Sequence, residues 1–186
     1  GGIGKTSLAI RAALDASSQD FPIKVFLSAQ VAEQGSEGKI SLSEYALTDF
    51  DALISALAVQ LGAEEIKHAP ANSRANTVQH LLARKKALII FDNVETFSQE
   101  ESDRLFVFLN RLPNSCKAIV TSRRRRENIH APDIRLDRLK RGDALKLMDE
   151  LAELNRTLAR ATENERESLY EIAGGNPQLI KWVCGQ

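Results

Sequence analysis

The chain has 186 residues, of which 43% are hydrophobic and 27% are charged, a composition typical of a globular protein and not of a disordered segment. Its 25 basic and 25 acidic residues cancel, which argues against a nucleic-acid binder held by net charge alone. No strictly apolar run, that at residues 87–91 included, exceeds about five residues, which is too short to span a bilayer, and two cysteines cannot form a disulfide framework. We therefore expect a cytoplasmic protein with no membrane partner.

The first residues predict a loop that binds phosphate groups. Residues 1–6 read Gly-Gly-Ile-Gly-Lys-Thr, the right-hand part of the motif G-x-x-x-x-G-K-[ST], and a helix is predicted from Lys5 to about residue 16. The glycines let backbone N–H groups turn around a β-phosphate, and the positive end of the helix points at the same group. Lys5 then reaches the β- and γ-phosphates, and Thr6 ligates Mg²⁺. The predicted nucleotide contacts of the loop are Gly1, Gly2, Ile3, Gly4, Lys5, Thr6 and Ser7.

The phosphate-loop motif is incomplete at its start. Its first glycine and the strand that should precede it are missing from the sequence, which also opens without a methionine. We interpret the sequence as an excised piece whose first strand lies upstream.

Strands and helices are predicted to alternate along most of the chain. Runs of apolar residues predict strands at 23–29, 87–92, 117–122 and 134–136. Periodic apolar residues predict helices at 50–61, 75–85 and 99–111, and a glycine- and serine-rich stretch predicts a loop at 30–47. From residue 142 onward only helices are predicted. This order indicates an α/β fold of the P-loop NTPase type, with a parallel sheet flanked by helices over 1–140 and the start of a small helical subdomain over 141–186.

Helical periodicity and residue type also predict which side chains are buried and where one helix is capped. The first helix is predicted to have Leu8, Ala12 and Ala13 on one side, and the residues expected to be buried include Cys116, Trp182 and Cys184. Asp143 is predicted to cap the first helix of the helical subdomain, since aspartate accepts hydrogen bonds from the first backbone N–H groups of a helix.

A second motif supplies a carboxylate for the metal. Residues 88–92 read Leu-Ile-Ile-Phe-Asp, a Walker B pattern in which a buried strand delivers Asp92 to the Mg²⁺ bound by Thr6. The next residue is Asn93, which can orient a water molecule but cannot accept its proton. Glu95 is the nearest substitute for that base, although the sequence equally allows a solvated loop acid. We infer slow hydrolysis.

Arginines follow the next predicted strand. The strand ends in Val-Thr-Ser-Arg, and an arginine at this edge can contact a γ-phosphate and report its presence, so Arg123 is the predicted sensor. Residues 124–126 continue the run. Four consecutive arginines could bind nucleic acid, but the zero net charge favours a solvated surface segment.

The ordered set of motifs resembles the NB-ARC group of STAND signalling ATPases. The resemblance is carried by the phosphate loop, the strand Leu-Ile-Ile-Phe-Asp-Asn-Val-Glu, the strand end Val-Thr-Ser-Arg, Leu-Asp-Arg-Leu at 136–139 and Gly-Asn-Pro at 175–177. Plant disease-resistance proteins, apoptosome-forming proteins and many bacterial regulators share this module, and the likeness extends over nearly the whole chain.

The resemblance implies roles for individual residues. It implies that Gly4, Lys5 and Thr6 bind the phosphates and Mg²⁺. It implies that Asp92 is the Walker B acid and that Arg123 is the first sensor. It also implies that Pro177 packs against the bound nucleotide from the helical subdomain, where the residues alone would equally allow a simple helix connection. Asn93 departs from the acidic pair common in the family.

The function implied is a switch that is closed when ADP is bound and open to self-assembly when ATP is bound. The metal would be Mg²⁺, and ATP would be hydrolysed slowly. Self-association would involve the full-length protein, and nucleic acid would be bound only by other domains, if at all. Two alternatives remain open. One is a motor ATPase of the AAA+ type, against which Asn93 counts, and the other is a nucleic-acid-binding module that uses Arg123 to Arg126.

Replacement of Arg123 by alanine tests the sensor prediction. Because the predicted partner is the γ-phosphate, the loss of one charge-assisted hydrogen bond should weaken ATP binding about tenfold or more and leave ADP binding nearly unchanged. Calorimetric titration with each nucleotide measures both affinities. Equal losses for ATP and ADP would mean that Arg123 is structural, and Arg124 would then be the better candidate.

Overall fold

The computed structural model describes residues 2–29, 32–35, 38–41, 47, 49–125 and 131–184. The predictions for Gly1 and Arg126 lie outside the described residues. The chain divides into two compact units: a sheet unit, Thr6–His130, and a helical unit, Ala131–Gln186 together with Gly1–Lys5. In the described ranges, no helix has both the length and the apolar character needed to cross a membrane.

The sheet unit is built on a parallel sheet. Its strands are β1 (Ile23–Ser28), β2 (Ala32–Gly35), β3 (Gly38–Ser41), β4 (Ala87–Asp92) and β5 (Lys117–Val120). The strands β1, β4 and β5 pair in parallel in the order β1-β4-β5, and Ser28 lies opposite Asp92 in the register. Because parallel strands end at the same edge of a sheet, the residues that follow these three strands converge there.

Two predictions about strands are wrong. Part of the predicted loop at 30–47 forms an antiparallel hairpin, in which β2 pairs with β3. Its strands lack the run of branched apolar residues that marks a strand in sequence, so the pairing rests on backbone hydrogen bonds. The predicted strand at 134–136 is not formed, and Ile134 is exposed. Two apolar residues separated by an arginine do not bury enough surface to hold an isolated strand.

Helices cover both faces of the sheet, which confirms the predicted α/β fold. They are α1 (Lys5–Asp15), α2 (Phe50–Gln60), α3 (Ala71–Leu82) and α4 (Gln99–Leu109). Alternate residues of β4 serve the two faces: Ile89 and Phe91 pack in the core that holds α2, α3 and α4, and Leu88 and Ile90 pack against α1. All six residues of β4 are buried, as expected for a central parallel strand.

The buried face of α1 differs from the prediction. Ala9 and Ala13, one turn apart, are buried, whereas Leu8 is 48% exposed and Ala12 is also exposed. The two small side chains let the helix lie close to the sheet, which explains why alanines and not the leucine face inward.

The helical unit has its own core. Its helices are α5 (Arg141–Ala152), α6 (Arg156–Ala159), α7 (Glu163–Ala173) and α8 (Pro177–Cys184). The buried residues are Ala144, Met148, Leu158, Ala173, Ile180 and Cys184. A capping box between Thr162 and Glu165 fixes the start of α7, and Gly174 ends it with a φ of 55°.

Two predictions in the helical unit are wrong and one is confirmed. Asp143 lies within the first turn of α5, after the cap position at Lys140, so it does not cap the helix. Trp182 is 47% exposed, because the buried face of the short helix α8 is set by Ile180 and Cys184, one turn apart. Cys184 is buried as predicted, and that burial raises the pKa of its thiol; Cys116, in the sheet unit, is likewise buried.

Leu57 is a fully buried residue of α2 in the core of the sheet unit, and its truncation tests that core. Leu57→Ala should lower the free energy of unfolding of the sheet unit by about 2–5 kcal/mol, through lost burial and the cavity left behind. Leu14→Ala, on the exposed face of α1, is the matched control and should change it by less than about 0.5 kcal/mol. Denaturant unfolding followed by circular dichroism gives both values, and similar losses in the two variants would contradict this core.

Candidate functional site

The two metal-binding residues predicted from separate motifs are in direct contact. The Thr6 hydroxyl, in the first turn of α1, donates a hydrogen bond of 2.8 Å to Oδ1 of Asp92, the last residue of β4. The two residues are 86 positions apart in sequence, so the fold of the sheet unit brings them together. A hydroxyl and a carboxylate at one point form an oxygen donor set of the kind that Mg²⁺ takes.

Asp92 is 2% exposed and is surrounded by uncharged donors. The Thr121 hydroxyl donates to Oδ1 at 2.6 Å, and the Asn93 amide donates to Oδ2 at 2.8 Å. The Ser28 hydroxyl lies 3.4 Å from Oδ2. These bonds offset the loss of solvation of the carboxylate, but no ion pair to it is formed among the described residues, which favours a cation at this position.

The glycine loop has the backbone shape that a phosphate cradle needs. Gly2 and Gly4 have φ values of 79° and 90°, in the region that glycine alone adopts without strain. A Cβ placed on Gly4 would have no atom within 4 Å, so the space beside it is open. The helix α1 begins at Lys5 and directs its positive end towards the loop. Ile3 and Lys5 are half-buried and Ser7 is exposed. The residues present therefore fit a bound phosphate group.

Within the helical unit, the glycine loop contacts the Gly-Asn-Pro turn. The backbone N–H of Gln178 donates to the carbonyl of Gly2 at 3.2 Å, and Leu139 N–H donates to the carbonyl of Gly175 at 2.8 Å. A Cβ on Gly2 would clash with the Gln178 side chain, and a Cβ on Gly175 would clash with the Leu139 carbonyl. Both positions thus require glycine for close approach as well as for φ. Pro177 is the first residue of α8.

The predicted base and the predicted sensor are paired with each other. Nε of Arg123 lies 3.1 Å from Oε1 of Glu95 in an ion pair, and the side chain of Glu95 is 11% exposed against 64% for that of Arg123. Among the described residues, Oε2 of Glu95 is buried with no hydrogen-bond partner. Arg124 and Arg125 are exposed after the pair, and the Arg124 backbone N–H donates to the Ser122 hydroxyl at 3.0 Å.

Sequence reasoning assigned no role to Ser28, Thr121 or Gln178. The two hydroxyls could have been found from the parallel sheet, because polar residues at the ends of neighbouring strands meet at its carboxyl edge. The contact between Gln178 and Gly2 had no comparable signal, since it is made by backbone atoms across a turn.

Replacement of Thr121 tests the support of Asp92. Thr121→Val keeps the shape of the side chain but removes the 2.6 Å hydrogen bond to a buried carboxylate, so the free energy of unfolding should fall by about 1–3 kcal/mol. Thr77→Val, at an exposed position of α3, should change it by less than about 0.5 kcal/mol. Denaturant titration measures both, and an equal effect of the two substitutions would contradict the role of Thr121.

Comparisons with known proteins identify a family and a similar fold. No curated protein matches the chain. Over the whole chain, the fold matches the crystal structure of a Signal Transduction ATPase with Numerous Domains (STAND) protein with a tetratricopeptide repeat sensor from Pyrococcus horikoshii, with a TM-score of 0.61 and 19% sequence identity. The chain covers 26% of that protein. The family model of the NB-ARC domain matches residues 1–157, and the chain belongs to the NB-ARC family.

Proposed function

We propose that this chain is the nucleotide-binding switch of a signalling ATPase, which binds ADP or ATP with Mg²⁺ and hydrolyses ATP slowly. The observation that carries the proposal is the 2.8 Å hydrogen bond from Thr6 to Asp92. It supports a metal site at the first turn of the helix that follows the glycine loop, where a phosphate-bound Mg²⁺ is needed.

The division of labour follows from the chemistry of each residue. The backbone N–H groups of Gly2 to Lys5 bind phosphate oxygens, and the Lys5 ammonium neutralises their charge. Thr6 and Asp92 hold Mg²⁺, which when bound neutralises charge that develops on the phosphates. Pro177 packs against the nucleotide from the helical unit, in the role that the family resemblance implies.

Slow hydrolysis is supported by the surroundings of Asn93 and Glu95, the residues at the two positions where a base would be expected. The amide nitrogen of Asn93 donates to Asp92, and an amide cannot take a proton from water. Oε1 of Glu95 is engaged by the Arg123 guanidinium, so this oxygen is not available to take a proton from water while the ion pair is formed. A nucleotide that is hydrolysed slowly remains bound long enough to specify a state, as a switch requires.

The two states of the switch would differ in the γ-phosphate. The bound diphosphate corresponds to a closed form, and the triphosphate corresponds to a form that self-associates through the full-length protein. Such a change needs contacts that differ between the two nucleotides. Arg123 and the turn at Pro177 are the residues we assign to those contacts.

Nucleotide binding is tested by Lys5→Ala in the full chain. The parent should bind Mg²⁺–ADP and Mg²⁺–ATP in calorimetric titration, and ADP at one hundred times its Kd should stabilise it by about 2.7 kcal/mol. Lys5→Ala should lose most of the affinity for both nucleotides, because the ammonium contacts groups common to them.

Lys146→Ala, which removes an exposed lysine on α5, is the matched control and should bind like the parent. A parent protein that binds neither nucleotide would overturn the proposed function. Unchanged affinity in Lys5→Ala would overturn the assignment of the phosphate loop.

A further inference from the structure

The ion pair between Glu95 and Arg123 links the two residues predicted to act on the γ-phosphate and on the attacking water. Arg123 Nε and Glu95 Oε1 are 3.1 Å apart, and the contact occupies the Nε edge of the guanidinium that is our candidate for sensing a γ-phosphate. A guanidinium held by a carboxylate must leave it, at least in part, before it binds another anion in the same geometry.

The pair is asymmetric in its burial. The Glu95 side chain is 11% exposed, and one of its oxygens, Oε2, is buried without a partner in the described part of the chain. The Arg123 side chain is 64% exposed. The carboxylate is therefore fixed by its surroundings, whereas the arginine has room to move.

The backbone beneath the pair is tied to the metal site. Arg123 follows two residues after Thr121, whose hydroxyl donates to Asp92. The N–H groups of Asn93 and Val94 donate to the Thr121 hydroxyl and carbonyl, both at 3.1 Å, and Glu95 comes next in the chain. The segments that follow β4 and β5 are thus fastened together beside Asp92, so a change in the pair is most easily made by the Arg123 side chain.

We propose that Glu95 is a positioning residue that holds Arg123 as a latch when no γ-phosphate is present, and thereby sets the preference of the site for diphosphate over triphosphate. The inference rests on the function proposed above. It adds a residue that favours ADP to a site in which Arg123 is assigned to the γ-phosphate that only ATP carries.

The latch acts only against the triphosphate. When Arg123 leaves Glu95 for a γ-phosphate, a largely buried carboxylate loses its cation while its Oε2 already lacks a hydrogen-bond partner among the described residues, and this is unfavourable. A diphosphate has no γ-phosphate to draw Arg123 away, so ADP binding carries no such cost. Glutamine at position 95 removes the charge and weakens the hold on Arg123 with little change of shape.

The test measures Kd for Mg²⁺–ADP and Mg²⁺–ATP by calorimetry in the full chain. Glu95→Gln should tighten ATP binding about three- to fivefold, in keeping with an ion pair whose arginine is exposed, and leave the ADP affinity within about twofold. Glu95→Asp, which withdraws the carboxylate from Arg123, should act in the same direction. Glu100→Gln, an exposed glutamate on α4, is the control and should change neither affinity.

A double-mutant cycle separates a latch from a local change of structure. In an Arg123→Gln background, Glu95→Gln should no longer change the ratio of the two affinities, because the residue that it releases is absent. A parent that binds neither nucleotide overturns the proposed function and the latch with it. Normal binding by the parent overturns the latch alone if both Glu95 variants leave the ratio unchanged, or if the effect of Glu95→Gln persists without Arg123.

Discussion

A single buried carboxylate organises the sheet unit around its functional edge. Asp92 accepts hydrogen bonds from α1 through Thr6, from its neighbour Asn93, and from beyond β5 through Thr121, with the Ser28 hydroxyl of β1 at 3.4 Å. Burial of a carboxylate without such donors would be unfavourable. The segments that carry the donors must therefore lie within hydrogen-bond distance of Asp92. The site and the local fold therefore depend on one group, and a change at any donor affects both.

The glycine loop brings a second constraint, which is steric. Gly2 lies so close to Gln178 that no side chain fits, and Gly175 lies equally close to the Leu139 carbonyl. The loop thereby joins the helical unit by backbone contact, while the next residue after it, Thr6, belongs to the sheet unit. The chain passes from one unit to the other at the point where Lys5 meets Thr6.

The sequence predicted well wherever one residue pattern decides the outcome. The run that forms β4 is apolar at every position before Asp92, as is typical of a strand buried on both faces of a parallel sheet. Both the strand and the acid at its end were therefore predictable. The sequence was a poor guide to which side chains are buried or paired where this depends on packing between segments that are distant in the chain. The inward face of α1 depends on how closely Ala9 and Ala13 approach the sheet, and the exposure of Trp182 depends on which side of a two-turn helix the other helices cover. The ion pair of Glu95 with Arg123 depends on where the segments after β4 and β5 lie relative to each other, which the residues of neither segment indicate alone.

The residue after Asp92 meets a requirement of the backbone and a requirement of the buried carboxylate at one position. Asn93 has φ 59° and ψ 38°, a left-handed conformation that asparagine adopts more readily than most residues, and its backbone N–H bonds to the Thr121 hydroxyl. Its side-chain amide donates to Asp92. A second carboxylate there could accept the turn, but it would place a like charge beside a buried one and remove a donor from it. Asparagine thus stabilises the buried carboxylate of Asp92 by donating to it, but its amide cannot take a proton from water.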